Sequence, residues 1–130
     1  MPQATDLVLK NNAGTDKTFA LYTPAAGDSS LAKWMLKEGS ISSVFPLITA
    51  LARPTTNRSR IVQLKLRVPS SFTDSVTGLT KVASAFEFNG SVSVPDDFPE
   101  MLKPDAVAFT KNLMAHALIM AMMKDAVPAT

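Results

Sequence analysis

The chain has 130 residues, a length that suits one domain, residues 1–130, with a hydrophobic core of its own. Hydrophobic residues make up 46% of it and charged residues 18%, which excludes an intrinsically disordered chain. Because cysteine is absent, disulfides, thiol nucleophiles and thiolate metal sites are excluded, and the formal net charge of +2 is too small to indicate a partner by itself.

The first part of the chain predicts a hairpin followed by a strand. Apolar and polar residues alternate along LVLK, NNAGTD supplies turn residues, and an extended pattern then resumes, so we expect the hairpin over residues 6–22. The segment SLAKWMLKEGS fits a short helical turn and an irregular strand equally well. Residues 41–52 are β-branched and apolar enough for a strand, in which Pro46 indicates an edge or a bulge.

The clearest strand is RIVQLKLRVP, whose residues alternate with a period of two over 61–68. One face is apolar and consists of Val62, Leu64, Leu66 and Val68. The other face carries Ile61, Gln63, Lys65 and Arg67. Between Glu38 and Asp74 there is no acidic residue, and this interval holds five basic ones, namely Arg53, Arg58, Arg60, Lys65 and Arg67.

The segment KVASAFEFNGSVSVP contains Asn89-Gly90, a strong signal for a two-residue hairpin turn. The phase of the apolar residues argues against a turn, because it would place aromatic residues and serines on one face. A continuous strand over about 82–94 instead groups Phe86, Phe88, Val92 and Val94. We therefore predict one long strand in which Gly90 is a bulge or a site of close approach.

The C-terminal part predicts a helical segment over 104–125. Pro104 suits a first helical turn, Asp105 favours a helix N-terminus and Lys124 a C-terminus. An apolar stripe at helical spacing comprises Val107, Leu113, Met114, Ala117, Leu118, Ala121 and Met122. Apolar residues extend beyond this stripe, so we expect the helix to be buried on more than one side.

Strands followed by a helix favour an α+β fold, with the sheet over residues 41–95. One helix covers a sheet of five or six strands poorly, and a helix that is apolar all round needs more partners than its own sheet. Both observations predict a dimer in which the helices cross onto the partner's sheet.

The basic and amide side chains on one sheet face are the candidate functional site. Lys65 and Arg67 lie on one strand face with Gln63, and neighbouring strands can extend that surface with Thr49, Arg53, Asn89 and Ser91. Cations and amides can bind phosphates and base edges. A solvated sheet face without a ligand is the alternative interpretation.

The other candidates favour structural roles. His116 on an apolar helix predicts a core or interface histidine, and the Met-rich segment 114–123 predicts packing. Asp96, Asp97 and Glu100 precede the helix and are expected to cap or solvate it. Since no phosphate loop, nucleophile with base, or metal-ligand spacing is present, we expect neither an enzyme nor a cofactor.

Targeting and membrane segments are not expected either. The N-terminal MPQATDLVLKNN lacks a basic start followed by an apolar run, so no secretory signal is predicted. The longest nearly apolar run, residues 113–123, is 11 residues long, whereas a membrane span needs about 20.

In their order and spacing these pieces resemble the coat proteins of the single-stranded RNA bacteriophages. LVLKNNAGTDKTFALYTP resembles the family's N-terminal hairpin and SLAKW the short segment after it. ITALARPTTNRSRIVQLKLRVP resembles the two RNA-facing strands and their turn. TDSVTGLTKVASAFEFNGSVSVP resembles the loop at the symmetry axes and the last long strand.

The resemblance implies a fold and a function. The fold is a hairpin, a five-stranded antiparallel sheet and a C-terminal helix, with or without a kink, in an intertwined dimer with a ten-stranded sheet. Dimers would assemble in the bacterial cytoplasm into an icosahedral shell around genomic RNA, and the protein would be part of the virion. The inner sheet face would bind RNA, in many members a hairpin whose binding represses translation.

The implied site residues match the family pattern in part. Thr49 matches a threonine that helps to hold an unpaired adenine, Arg53 and Lys65 match basic RNA-facing positions, and Asn89 matches an RNA-contacting asparagine. Three positions depart from the pattern: Gln63 replaces a second adenine-binding threonine, Leu51 a small polar residue, and Glu87 an aromatic residue that stacks on a base. Residues 113–123 also lack the Gly or Pro that often breaks the family's helix midway, which leaves one longer helix as an alternative to a broken one. A dimeric β-sheet nucleic-acid-binding regulator that forms no shell is the alternative function, because the same basic face would serve it. A third alternative is a shell protein with only non-specific affinity for RNA, which Glu87 and Leu51 favour.

Overall fold

The computed structural model describes residues 3–39 and 41–130. The chain forms two compact units, which meet in sequence between Val94 and Pro95. The first unit holds six strands and a short 3-10 turn at Ser42–Val44. The strands are β1 (Leu7–Lys10), β2 (Asp16–Thr23), β3 (Ala32–Met35), β4 (Leu47–Pro54), β5 (Ser59–Thr73) and β6 (Thr80–Pro95). The second unit holds the helices α1 (Lys103–Ala115) and α2 (Ala117–Asp125).

The strands form one sheet in sequence order, so each strand pairs with the next one along the chain. The ladders from β1 to β5 are antiparallel. Between β5 and β6, Arg67 lies near Glu87 and Ser70 bonds Ser84, so a step forward along β5 is a step backward along β6. Short connections between antiparallel neighbours explain this meander, because no crossover is needed.

The predicted hairpin and antiparallel sheet are confirmed, with one difference in the strand count. The sheet has six strands including the two of the hairpin, whereas the sequence predicted a hairpin followed by five strands. The segment that the sequence left open is strand β3. The strand predicted over 41–52 begins only at Leu47, because Pro46 precedes it and residues 42–44 form the 3-10 turn.

Strand β6 runs without interruption through Asn89-Gly90, as the phase of its apolar residues predicts. The Phe88 ring lies over Gly90, where a Cβ atom would be 2.8 Å from the ring Cζ. Gly90 is therefore a site of close approach, and its missing side chain makes room for an aromatic ring on the same strand.

The core of the first unit is small and lies where β2 and β3 meet. Phe19, Ala32 and Trp34 are its buried members, and Phe19 is 7% exposed. The Trp34 indole Nε1 donates to the carbonyl of Thr5 at 2.8 Å, so the polar end of the ring is satisfied. The backbone N–H of Leu21 donates to Asp6 Oδ1 at 2.8 Å, which holds the same N-terminal segment against β2.

The predicted helical segment is two helices, bent by 53° to one another at His116. This residue has an extended backbone (φ −70°, ψ 137°), and its Nδ1 accepts from the N–H of Leu118 at 3.2 Å. His116 was predicted to be a core or interface histidine. Its side chain is exposed and caps α2, so it is not a core residue of the single chain, and the interface alternative stays a prediction. No single helix of the described chain is long and apolar enough to span a membrane, although the bent pair together reaches the required length and hydropathy.

Neither helix contains a buried residue, so the predicted burial on more than one side is not met within one chain. The exposed apolar side chains include Val107, Phe109, Leu113, Leu118 and Met120. The apolar face of β5 and β6 is also exposed, with Val62, Leu64, Val68, Phe86 and Val92. Exposed large apolar side chains in such number, in each of the two units, are typical of interaction surfaces.

Candidate nucleic-acid interface

The register between β4 and β5 places the predicted residues on one face of the sheet. Lys65 lies opposite Thr49, and Gln63 lies opposite Leu51. Arg67 lies opposite Leu47. Directly opposed residues of an antiparallel pair share a face, so the polar and basic positions predicted on both strands form one surface.

That surface contains a half-open cavity of about 500 Å³, which is within the size range of small-ligand sites. Strands β3 to β6 all contribute to it. Five predicted residues line it: Thr49, Gln63, Lys65, Arg67 and Asn89. The remaining lining residues are Leu31, Lys33, Leu47, Leu51, Leu66 and Glu87.

Two predicted residues, Arg53 and Ser91, do not line the cavity. Arg53 lies opposite Ile61, two positions before Gln63, and therefore faces the same side of the sheet beyond the cavity. Ser91 follows Asn89 by two residues on β6, and the alternation of a strand places it on that side as well. The predicted residues thus share one face, and five of the seven line the cavity.

Lys33 is a cavity residue that the sequence prediction missed. It lies on β3 opposite Thr49, so its side chain shares the face of Lys65. Its segment could not be assigned as a strand from sequence, and without the strand its partner was unknown. The alternation of buried Ala32 and Trp34 with Lys33 is the signal that could have identified it.

Opposite charges meet inside the cavity. Arg67 Nε lies 3.8 Å from Glu87 Oε1, and the two side chains are 41% and 60% exposed. An ion pair this long and this exposed contributes about 0–1 kcal/mol. No carboxylate of the described residues lies within ion-pair distance of Lys33 or Lys65, so the cavity retains net positive charge.

Arg60 belongs to the basic interval of the sequence but has a different role. Its guanidinium bonds both carboxylate oxygens of Asp28, with Nη1 at 3.3 Å from Oδ2. The hydrogen bond from Arg60 lowers the pKa of Asp28 below the usual aspartate value. The backbone N–H of the next residue, Ser29, donates to the carbonyl of Ala52 at 2.9 Å. The loop between β2 and β3 is therefore bonded to β5 through Asp28 and to β4 through Ser29.

Metal chemistry receives no support from the described residues. Within 3–39 and 41–130, no three His, Cys, Asp or Glu side chains are placed to share a metal ion. The cavity instead combines cations, amides and leucine side chains. Such a surface can contact phosphates through the cations, base edges through the amides, and base faces through the leucines.

Comparison with solved structures shows the same fold in phage coat proteins. A virus-like particle of bacteriophage NT-214 has a TM-score of 0.85 at 21% identity, covering 99% of this chain and 100% of that one. One of Beihai levi-like virus 21 has the same TM-score and identity, with 99% of each chain covered. The capsid protein of bacteriophage GA has a TM-score of 0.68 at 22% identity, covering 93% of this chain and 94% of that one.

Sequence comparison gives a family but no individual relative. No curated protein sequence matches the chain significantly. Residues 2–129, nearly the whole chain, match the sequence profile of the levivirus coat protein. The chain therefore belongs to the levivirus coat protein family, and it is a structural protein of the virion.

Proposed function

We propose that this coat protein dimerises, assembles into an icosahedral shell and binds genomic RNA on the sheet face that contains the cavity. The observation that carries the RNA-binding part is the convergence of Lys33, Lys65 and Arg67 with Gln63 and Asn89 around one cavity. The cations supply affinity for phosphates, and the amides can bond base edges.

Exposed apolar surface supports the dimer. The β5–β6 face and both helices expose large apolar side chains, and Phe86 on that face is 52% exposed. Burial of such surface between two chains would contribute about 25 cal/mol per Å². A partner that covers the sheet face with its helices would bury both surfaces at once.

Likeness of fold to solved virus-like particles supports the shell. The alternative, a dimeric regulator that forms no shell, receives no support from a coat protein family profile over residues 2–129. Repression of translation is a further consequence that we expect if the bound RNA hairpin overlaps a ribosome-binding site.

The RNA-binding proposal is tested by the double variant Lys65→Ala, Arg67→Ala. We expect weaker RNA binding and a smaller dependence of affinity on salt, by about 0.7–0.9 in the log–log slope for each phosphate that the protein no longer neutralises. The dimer should persist, because both side chains lie on the face opposite the apolar one. Affinity is measured by filter binding at several salt concentrations, and the oligomeric state by size-exclusion chromatography.

Lys103→Ala with Lys111→Ala is the matched control. It removes the same charge from two side chains of α1, which lie outside the sheet. The control should bind RNA almost as the unaltered protein does. Equal reductions in both double variants would mean that binding follows net charge alone, and an unchanged affinity in the cavity variant would refute the assignment of this face.

A further inference from the structure

Glu87 is the one carboxylate among the cavity-lining residues, and it lies on a face that we propose binds a polyanion. A carboxylate in this place repels phosphate and so lowers the affinity for RNA of any sequence. Its ion pair with Arg67 is long, at 3.8 Å, and both side chains remain substantially exposed. Arg67 is therefore free to exchange Glu87 for a phosphate or a base, and the carboxylate can then accept hydrogen bonds from another group.

The chemistry of the RNA bases limits what that group can be. An ionised carboxylate has two acceptor oxygens and no donor, so it pairs best with two adjacent donors. Guanine alone offers two on its Watson–Crick edge, N1–H and the N2 amino group. Adenine and cytosine each place an acceptor nitrogen beside their one amino donor, and uracil has a single N–H between two carbonyls that would repel the carboxylate.

The remaining lining residues suit the other atoms of guanine. Its O6 and N7 are acceptors, and Lys65, Arg67 and Asn89 can donate to them. The leucines at 31, 47 and 51 offer apolar contact to the face of a base. A cavity of about 500 Å³ has room for a purine.

We propose that Glu87 makes this cavity selective for an unpaired guanine in single-stranded RNA. The inference rests on the proposed RNA-binding function and adds its base specificity. Glu87 weakens binding to RNA in general and restores affinity only where a guanine edge satisfies both of its oxygens. The carboxylate would thus distinguish one RNA site from the rest of a long polyanion by both repulsion and attraction.

The test uses short RNA hairpins that share one stem and a loop of adenines, with one loop position at a time replaced by guanine, cytosine or uracil. Binding to the full-length protein is measured at one fixed salt concentration. At one or more positions we expect guanine to bind about tenfold more tightly than adenine, the size of a good bidentate base contact. Inosine lacks the N2 amino group and should lose most of that gain.

The variant Glu87→Gln should reduce the preference for guanine to within about twofold, because an amide offers one acceptor oxygen and one donor group. Its affinity for the all-adenine hairpin should rise, because a negative charge is removed from the binding face. Glu38→Gln is the matched control, since Glu38 also pairs with a cation, Lys17 at 2.7 Å, and does not line the cavity. It should change neither quantity.

The outcomes separate the two proposals. The guanine site would be overturned if the protein bound RNA with no preference for guanine at any loop position. It would also be overturned if the preference for guanine survived in Glu87→Gln. Either result would leave the proposed RNA binding intact. Failure of the unaltered protein to bind any hairpin at low salt would overturn the proposed RNA binding and the guanine site with it.

Discussion

At the scale of single residues, the described chain depends on very few buried side chains. Phe19 and Trp34 are the two large aromatic residues of the core, and they lie on adjacent strands. Trp34 is the only tryptophan of the sequence, so its fluorescence reports on this core directly. A core this small makes each of its members important, because few neighbouring side chains can fill the space if one of them is truncated.

Phe19→Ala should lower the free energy of unfolding by about 3–5 kcal/mol, the usual range when a buried phenylalanine is truncated. The measurement is urea unfolding followed by Trp34 fluorescence, at one protein concentration so that any dimer formation is held constant. Val8→Ala is the control, because Val8 lies on β1 next to this core and is 57% exposed. A destabilisation in Phe19→Ala no larger than in the control would show that this core contributes little.

At the scale of elements, the strands were more predictable than the helices. Alternation over 61–68 and 82–94 identified β5 and β6, because each has one apolar and one polar face. The bend at His116 could not be predicted from propensity, since neither Gly nor Pro interrupts the segment. At the bend the His116 Nδ1 accepts from the Leu118 N–H, so a local side-chain bond satisfies a backbone donor that a continuous helix would satisfy through the carbonyl four residues earlier.

The candidate site was also predicted in part, better on the recognised strands than elsewhere. The residues on β5 followed from phase, those on β4 and β6 from phase together with the assumed pairing of neighbouring strands, and the structure brings most of them to one cavity. Lys33 was missed because its strand was not recognised. Arg60 lies in the same basic interval but pairs with Asp28, a contact across 32 positions of sequence that no local pattern indicates.

His116→Ala tests whether this cap stabilises α2. Removal of the acceptor leaves the Leu118 N–H without its side-chain partner, so we expect the unfolding free energy to fall by about 0.5–2 kcal/mol. His116→Asn should retain most of the stability, because asparagine is also a good N-cap residue. Urea unfolding followed by far-UV circular dichroism compares both variants with the unaltered protein. If His116→Ala is as stable as the unaltered protein, the cap is dispensable.

At the scale of the whole molecule, the loop between β5 and β6 is a candidate contact between the proposed dimers. Asp74 organises this loop, because its Oδ1 accepts from the N–H of Val76 at 2.8 Å and its backbone N–H donates to the carbonyl of Leu79 at 2.8 Å. The Val76 side chain at the tip is 90% exposed. A turn that is ordered by its own hydrogen bonds yet presents an apolar tip is suited to a repeated contact.

Replacement of residues 74–79 by a two-residue Asn-Gly turn should therefore abolish particles and preserve dimers. The shorter turn can still join two antiparallel strands, so the sheet is not expected to unfold. Negative-stain electron microscopy counts particles, the ratio of absorbance at 260 and 280 nm reports their nucleic acid, and size-exclusion chromatography detects the dimer. Val76→Ser keeps the loop length and separates the role of the apolar tip from that of the loop itself. Particles of unchanged size and yield in the shortened variant would show that the loop has no part in assembly, and the contacts between dimers would then have to lie elsewhere on the chain.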